Sequence, residues 1–162
     1  MTEKKDASIE MMNKEIAKHF FGLHEGVDYG EFEKHDWVKD EDGNIDDFAY
    51  DDDYHNGPIC QRCSTSYCSY CTPNYDERKC ITPVPNYCEY HFQHKNLLNK
   101  LREDGYEVSF RYPVDRPDIV ECSINQVSDN KIIKQEVSWA KTVELSLAIA
   151  ALMIKDIITF KI

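Results

Sequence analysis

The chain has 162 residues, with 30 acidic against 19 basic side chains and a formal net charge of −11, which is length enough for one cored domain and an appendage. So negative a surface repels a phosphate backbone; direct nucleic-acid binding is not expected, and the charge serves either a partner protein with a basic surface or solubility alone. Polar residues 1–8 lead into no apolar signal core, and the longest apolar stretch, Val143 to Ile154, is broken by Glu144 and Ser146 and falls far short of the roughly 20 residues of a membrane span, so a soluble cytosolic protein with no membrane contact is expected.

In chain order, residues 8–23 read as an amphipathic helix, with Ile9, Met12, Ile16 and Phe20 on one face, Lys14, Glu15 and Lys18 on the other, and Gly22 as its stop. Residues 25–57 are strongly acidic with scattered aromatics, and within them Trp37 to Ile45 reads as a hairpin turning at Asp42-Gly43. Residues 58–82 have neither helical nor strand periodicity, so something other than a core must order them. A helix is expected over 87–103, with Leu97, Leu98 and Leu101 inward and Gly105 ending it. Strands follow at Tyr106, Val108, Phe110 and Tyr112, and at Val120, Cys122 and Ile124. After a turn at Asp129-Asn130, a third strand is expected to bury Ile133, Val137 and Trp139. Thr142 is the natural N-cap of a last helix, with Glu144 in its first turn and Leu145, Ala148 and Leu152 in a broad buried surface. The fold class is therefore α+β, an antiparallel three-stranded sheet covered by helices. Residues 1–24 and 84–162 form its core, and 25–83 are an acidic, metal-binding insertion.

The seven cysteines carry the chemistry. Clustered thiols without a secretion signal point to metal rather than disulfides. Cys60, Cys63, Cys68 and Cys71 have the spacing C-x2-C-x4-C-x2-C, in which each pair aims two sulfurs at one ion from a tight turn. Zn2+ is the expected cofactor in a closed structural site, with an iron–sulfur cluster or a redox pair as the competing uses of such thiolates. Cys80, Cys88, His91 and His94 are candidates for a second site, since His91 and His94 share a helix face one turn from Cys88; the plain alternative is one half-buried thiol and two surface imidazoles. Cys122, on an apolar strand face, reads as core. A calcium loop at Asp40-x-Asp42-Gly43 fails, because its first and twelfth positions would be Val38 and Ala49. No catalytic or nucleotide-binding motif occurs, and a non-enzyme is expected.

Three short motifs carry a family resemblance. Met12 to Leu23 (MNKEIAKHFFGL), Pro85-Asn86-Tyr87 before the second helix, and Trp139 to Thr142 running into Val143–Leu152 resemble the small bacteriophage proteins called phage ABA sandwich domains. The likeness lies on either side of residues 25–83. It implies a phage or prophage origin and an α/β sandwich, and it assigns no catalytic role to any residue. A small acidic phage protein is also similar in kind to anti-CRISPR inhibitors, which implies residence in the host bacterial cytoplasm and evasion of host defence. On that likeness the partner is a type II CRISPR RNA-guided nuclease, blocked at guide or target DNA loading. Its basic heteroduplex channel would receive Asp40, Glu41, Asp42, Asp46, Asp47, Asp51, Asp52 and Asp53, for which the plain alternative is a solvated acidic loop. The alternative is a zinc-dependent, nucleic-acid-associated phage regulator, which the few basic residues beside the cysteines (Arg62, Arg78, Lys79) disfavour.

Overall fold

The computed structural model describes residues 3–45, 59–63 and 79–159. By contacts the chain divides into two units, Met1–Leu23 with Val84–Ile162, and His24–Pro83.

The first unit is built on three helices and a sheet. Helix α1 (Glu3–Phe21) starts five residues before the helix expected from residue 8; Glu3, Lys4, Lys5 and Ala7 are good helix formers. Met12, Ile16, Ala17 and Phe20 are buried. The helix ends where Gly22 takes a φ of 66°, and the Leu23 amide returns to the Ala17 carbonyl at 3.0 Å. Asn13 is buried among these apolar residues. Its Oδ1 accepts from the amides of Tyr87 (2.9 Å) and Cys88 (3.2 Å), and its Nδ2 donates to Asn86 Oδ1 at 3.2 Å. Two of the short motifs noted above, around Asn13 and at Asn86-Tyr87, are thus one hydrogen-bonded joint, closed further by stacking of Phe21 on Tyr87 at 5.1 Å.

Helix α2 (His91–Glu103) buries His94, Leu97 and Leu101, one helical stripe. Gly105, at φ 86°, turns the chain into β3 (Tyr106–Arg111). With β4 (Val120–Ser128) and β5 (Lys131–Ala140) it makes an antiparallel meander in the order β3-β4-β5. Asp129 and Asn130, at φ 51° and 60°, are the paired left-handed residues of a tight hairpin turn. Thr142 caps α3 (Val143–Ile154), its Oγ1 accepting from the Leu145 amide, and the helix buries Leu147 through Leu152. Helix α3 packs on β4 and β5, α2 on β3 and α3, and α1 on α3. The observed fold is α+β, with α2 and α3 packed on the sheet and α1 on α3.

The third strand corrects an expectation. Ile133 is 59% exposed and Trp139 47% exposed; they do not enter the core. The register Cys122↔Ser138 and Ile124↔Glu136 puts the even-numbered residues of β5 from Lys134 to Ala140 on the helix side, because cross-strand partners share a face; a bulge at Gln126/Val127 shifts the pairing before Lys134. Ser138 is the buried one, and its hydroxyl donates to the Ser146 carbonyl of α3 at 2.5 Å. Trp139 lies outside in the row Arg111↔Glu121↔Trp139, where Glu121 accepts from the Arg111 guanidinium (2.8 Å) and the Trp139 indole N–H (2.9 Å). Those two donors hold the Glu121 carboxyl below its ordinary range.

In the second unit, β1 (Gly30–Phe32) pairs antiparallel with β2 (Cys80–Thr82). The hairpin expected at Trp37 to Ile45 is present as a turn closed by a Lys39↔Ile45 bridge. Gly43 has a φ of 82°, and the Asp40 amide donates to the Asn44 carbonyl at 2.8 Å. Among the described residues no helix is long and apolar enough to cross a membrane.

Candidate metal centre

Four ligand atoms of the second unit converge. His35, Cys60, Cys63 and Cys80 each offer one donor, and all four donors lie within 4.8 Å of one another. Cys60 Sγ is 3.6 Å from Cys80 Sγ, and Cys63 Sγ is 3.6 Å from His35 Nδ1. A zinc–sulfur bond of about 2.3 Å implies a tetrahedron edge of about 3.7 Å, so both separations are those of donors around one ion.

The local chain explains the convergence. Pairing of β1 with β2 sets Phe32 opposite Cys80. Five residues on, Trp37 bridges Cys60, flanked by bonds from the Val38 amide to the Ile59 carbonyl (2.9 Å) and from the Gln61 amide to the Asp36 carbonyl (2.7 Å). The connection from Phe32 to Trp37 therefore carries His35 between the two cysteines, and the turn after Cys60 returns Cys63 to the same point. Trp37, Cys60 and Cys80 are the buried cluster, with Phe32 and Cys63 packed against it. The Trp37 ring stacks on His35 at 4.7 Å and orients its imidazole.

Electrostatics agree with a ligand set. Burial opposes ionisation of Cys60, but the Cys63 backbone and the His35 side chain, with the backbones of Asp36 and Arg62, outweigh it and bring the thiol down to about 6. Burial and the adjoining thiols push Cys80 up to about 11. One thiolate is thus formed readily and the next only with a compensating charge, which a bound cation supplies. Four protein donors are the number that would fill a tetrahedral coordination sphere.

The expected ligands fall as follows. Cys60 and Cys63 stand in the cluster; Cys68 and Cys71 lie outside the described residues. Sequence reasoning missed His35 altogether and assigned Cys80 to another set. Cys80 stands with Cys60 and Cys63, whereas Cys88, His91 and His94 belong to the other unit. There Cys88 is fully buried and burial pushes its thiol up to about 12, as it does that of the core residue Cys122. The His91 and His94 rings stack at 5.7 Å, and His91 Nδ1 lies 3.4 Å from Glu144 Oε1. Of the acidic residues, Asp40 is committed to its turn, its Oδ1 accepting from the amides of Asp42 (3.0 Å) and Asn44 (2.9 Å). Glu41 and Asp42 are exposed, and Asp46, Asp47, Asp51, Asp52 and Asp53 lie outside the described residues.

His94 gives a pH prediction. It is 4% exposed, its Nδ1 has no hydrogen-bond partner among the described residues, and burial lowers its pKa below the ordinary 6.5, against an opposing pull from Glu144. The folded state therefore favours the neutral imidazole, while the unfolded chain takes up its proton near 6.5. Its contribution to stability is complete above that pH and is lost as pH falls toward the lowered native value, at a slope of at most about 1.4 kcal/mol per pH unit. Urea midpoints measured from pH 7.5 to 5 should fall in the wild type and flatten in His94→Phe.

No family model, curated protein or solved structure matches the chain.

Proposed function

We propose that the chain is a non-enzymatic, acidic interaction protein whose residues 24–83 are folded around one structural zinc ion, held by His35 Nδ1 and the sulfurs of Cys60, Cys63 and Cys80. The convergence of these four donors carries the reading. Three thiolates with one imidazole are a donor set suited to zinc, and four protein ligands leave the ion no reaction to perform. What remains for such a unit is to present a surface. The charge of −11 and the exposed Glu41 and Asp42 favour a basic partner by electrostatic steering.

Within this reading the partner is the basic nucleic-acid channel of a host defence protein, with a type II RNA-guided nuclease as the specific target and a phage-encoded inhibitor in the host cytoplasm as the specific role. Nucleic-acid reading by the cysteine loop is disfavoured. Arg62 is engaged over the Phe32 ring at 4.4 Å and with the Lys34 carbonyl, and Lys79 is ion-paired with Glu31. The test is capture of a purified type II nuclease by the zinc-loaded protein at 50 and 500 mM salt. Capture that weakens at high salt and is lost on preloading the nuclease with guide and target DNA supports the role. Absence of capture at low salt, with zinc confirmed in the bait, removes that target.

A further inference from the structure

The four donors differ in access. Cys60 and Cys80 are fully buried, while Cys63, on the turn after Cys60, is half-buried. Of the three cysteines, Cys63 alone keeps part of its surface exposed, and its partners are close: all donors of the cluster lie within 4.8 Å of one another. Oxidation of a thiolate requires access, and formation of a disulfide then requires a second sulfur within reach. Both conditions are met at Cys63.

We propose that Cys63 is an oxidisable site through which a hydroperoxide releases the metal and dismantles residues 24–83, so that the surface these residues present exists only under reducing conditions. This rests on the zinc reading above. In the first step the Cys63 sulfur attacks the nearer oxygen of the hydroperoxide. An S–O bond forms, the O–O bond breaks, and the leaving alkoxide or hydroxide takes a proton from water. In the second step the thiolate of Cys60 or Cys80 attacks the Cys63 sulfenic acid; an S–S bond forms, the S–O bond breaks, and hydroxide leaves to become water. Two thiolates are oxidised by two electrons and the hydroperoxide is reduced by two. The zinc ion changes no oxidation state but loses two of four ligands, and a two-ligand remnant does not hold it.

The test uses the full-length zinc-loaded protein and hydrogen peroxide. Zinc release is followed with a chromogenic chelator, and the disulfide is located by peptide mass mapping. The expected result is one zinc released per disulfide formed, with Cys63 in that disulfide and with zinc content restored by dithiothreitol plus zinc. Cys63→His keeps four donors and removes the accessible sulfur; it should release zinc at least about tenfold more slowly at the same peroxide dose. Equal release rates in the two proteins, or a wild-type disulfide that excludes Cys63, overturns the proposal while leaving the zinc site intact. The wild-type map decides alone if the variant binds no zinc. A protein that takes up no zinc in its reduced state overturns both readings.

Discussion

Stripping the metal with a strong chelator is expected to unfold residues 24–83 while α1, α2, α3 and the three-stranded sheet keep their hydrogen-exchange protection. The described part of this unit has two strands of three residues each, too short a two-stranded sheet to stand alone in water. Its buried cluster is Trp37, Cys60 and Cys80, with Phe32 and Cys63 partly covered, so three of its five members are thiols that without metal sit within one another's reach and repel as they ionise. A structural zinc ion supplies on the order of 10 kcal/mol of folding free energy to such a unit at neutral pH, more than so small a core provides. Cys80→Ser should behave as the stripped protein does. The readout is exchange mass spectrometry with and without metal: loss of protection confined to peptides within 24–83 is expected, and protection there that is indifferent to metal would count against the site. The other unit has its own core in Ile16, Leu97, Leu101, Ile124, Leu147 and Leu152, all fully buried.

Asn13→Ala is expected to destabilise that core unit by about 3 kcal/mol. The Asn13 side-chain oxygen accepts from the amides of Tyr87 and Cys88, and both of those residues are buried. Deleting the oxygen leaves two buried N–H groups without that acceptor, at about 1–3 kcal/mol each, and also removes the bond to Asn86. Denaturant unfolding monitored by far-UV circular dichroism should show a lower midpoint at an unchanged slope. Glu10→Ala, on the exposed side of the same helix, should stay within about 0.5 kcal/mol of wild type. A loss in Asn13→Ala no larger than in Glu10→Ala would show that the joint between α1 and the turn before α2 contributes nothing.

The elements legible in the sequence were those whose signal is local. The 3.6-residue spacing of Met12, Ile16 and Phe20, the alternation through Val120, Cys122 and Ile124, the Asp129-Asn130 turn and the Thr142 cap each depend on neighbours a few residues away, and each is present in the structure. The composition changes at residue 25 and helical periodicity returns at 87, and the contacts divide the chain at residues 24 and 84. Strand β5 was misread because a period of two fits either face of a sheet. Only the register with β4 chooses between them, and it takes Ser138 inward and sends Trp139 to Glu121. The metal centre was legible in part for the same reason. Cys60 and Cys63 announce themselves by the two residues between them, a spacing set by one turn. His35 stands far upstream in an acidic stretch and reaches the cluster only because Phe32 pairs with Cys80 and Trp37 with Cys60. No local spacing encodes those pairings. The one available hint was a histidine two residues from a tryptophan in an otherwise polar segment, a place where a stacked, oriented imidazole is easily built.

Zinc K-edge X-ray absorption on the reduced, metal-loaded protein tests the composition of the coordination sphere most directly. The expected spectrum fits three sulfur scatterers at about 2.3 Å and one nitrogen at about 2.0–2.1 Å, and becomes three sulfurs without an imidazole when His35 is replaced by Ala. Four sulfurs in the wild type, unchanged by His35→Ala, would contradict it and return the ion to a sphere completed by Cys68 and Cys71.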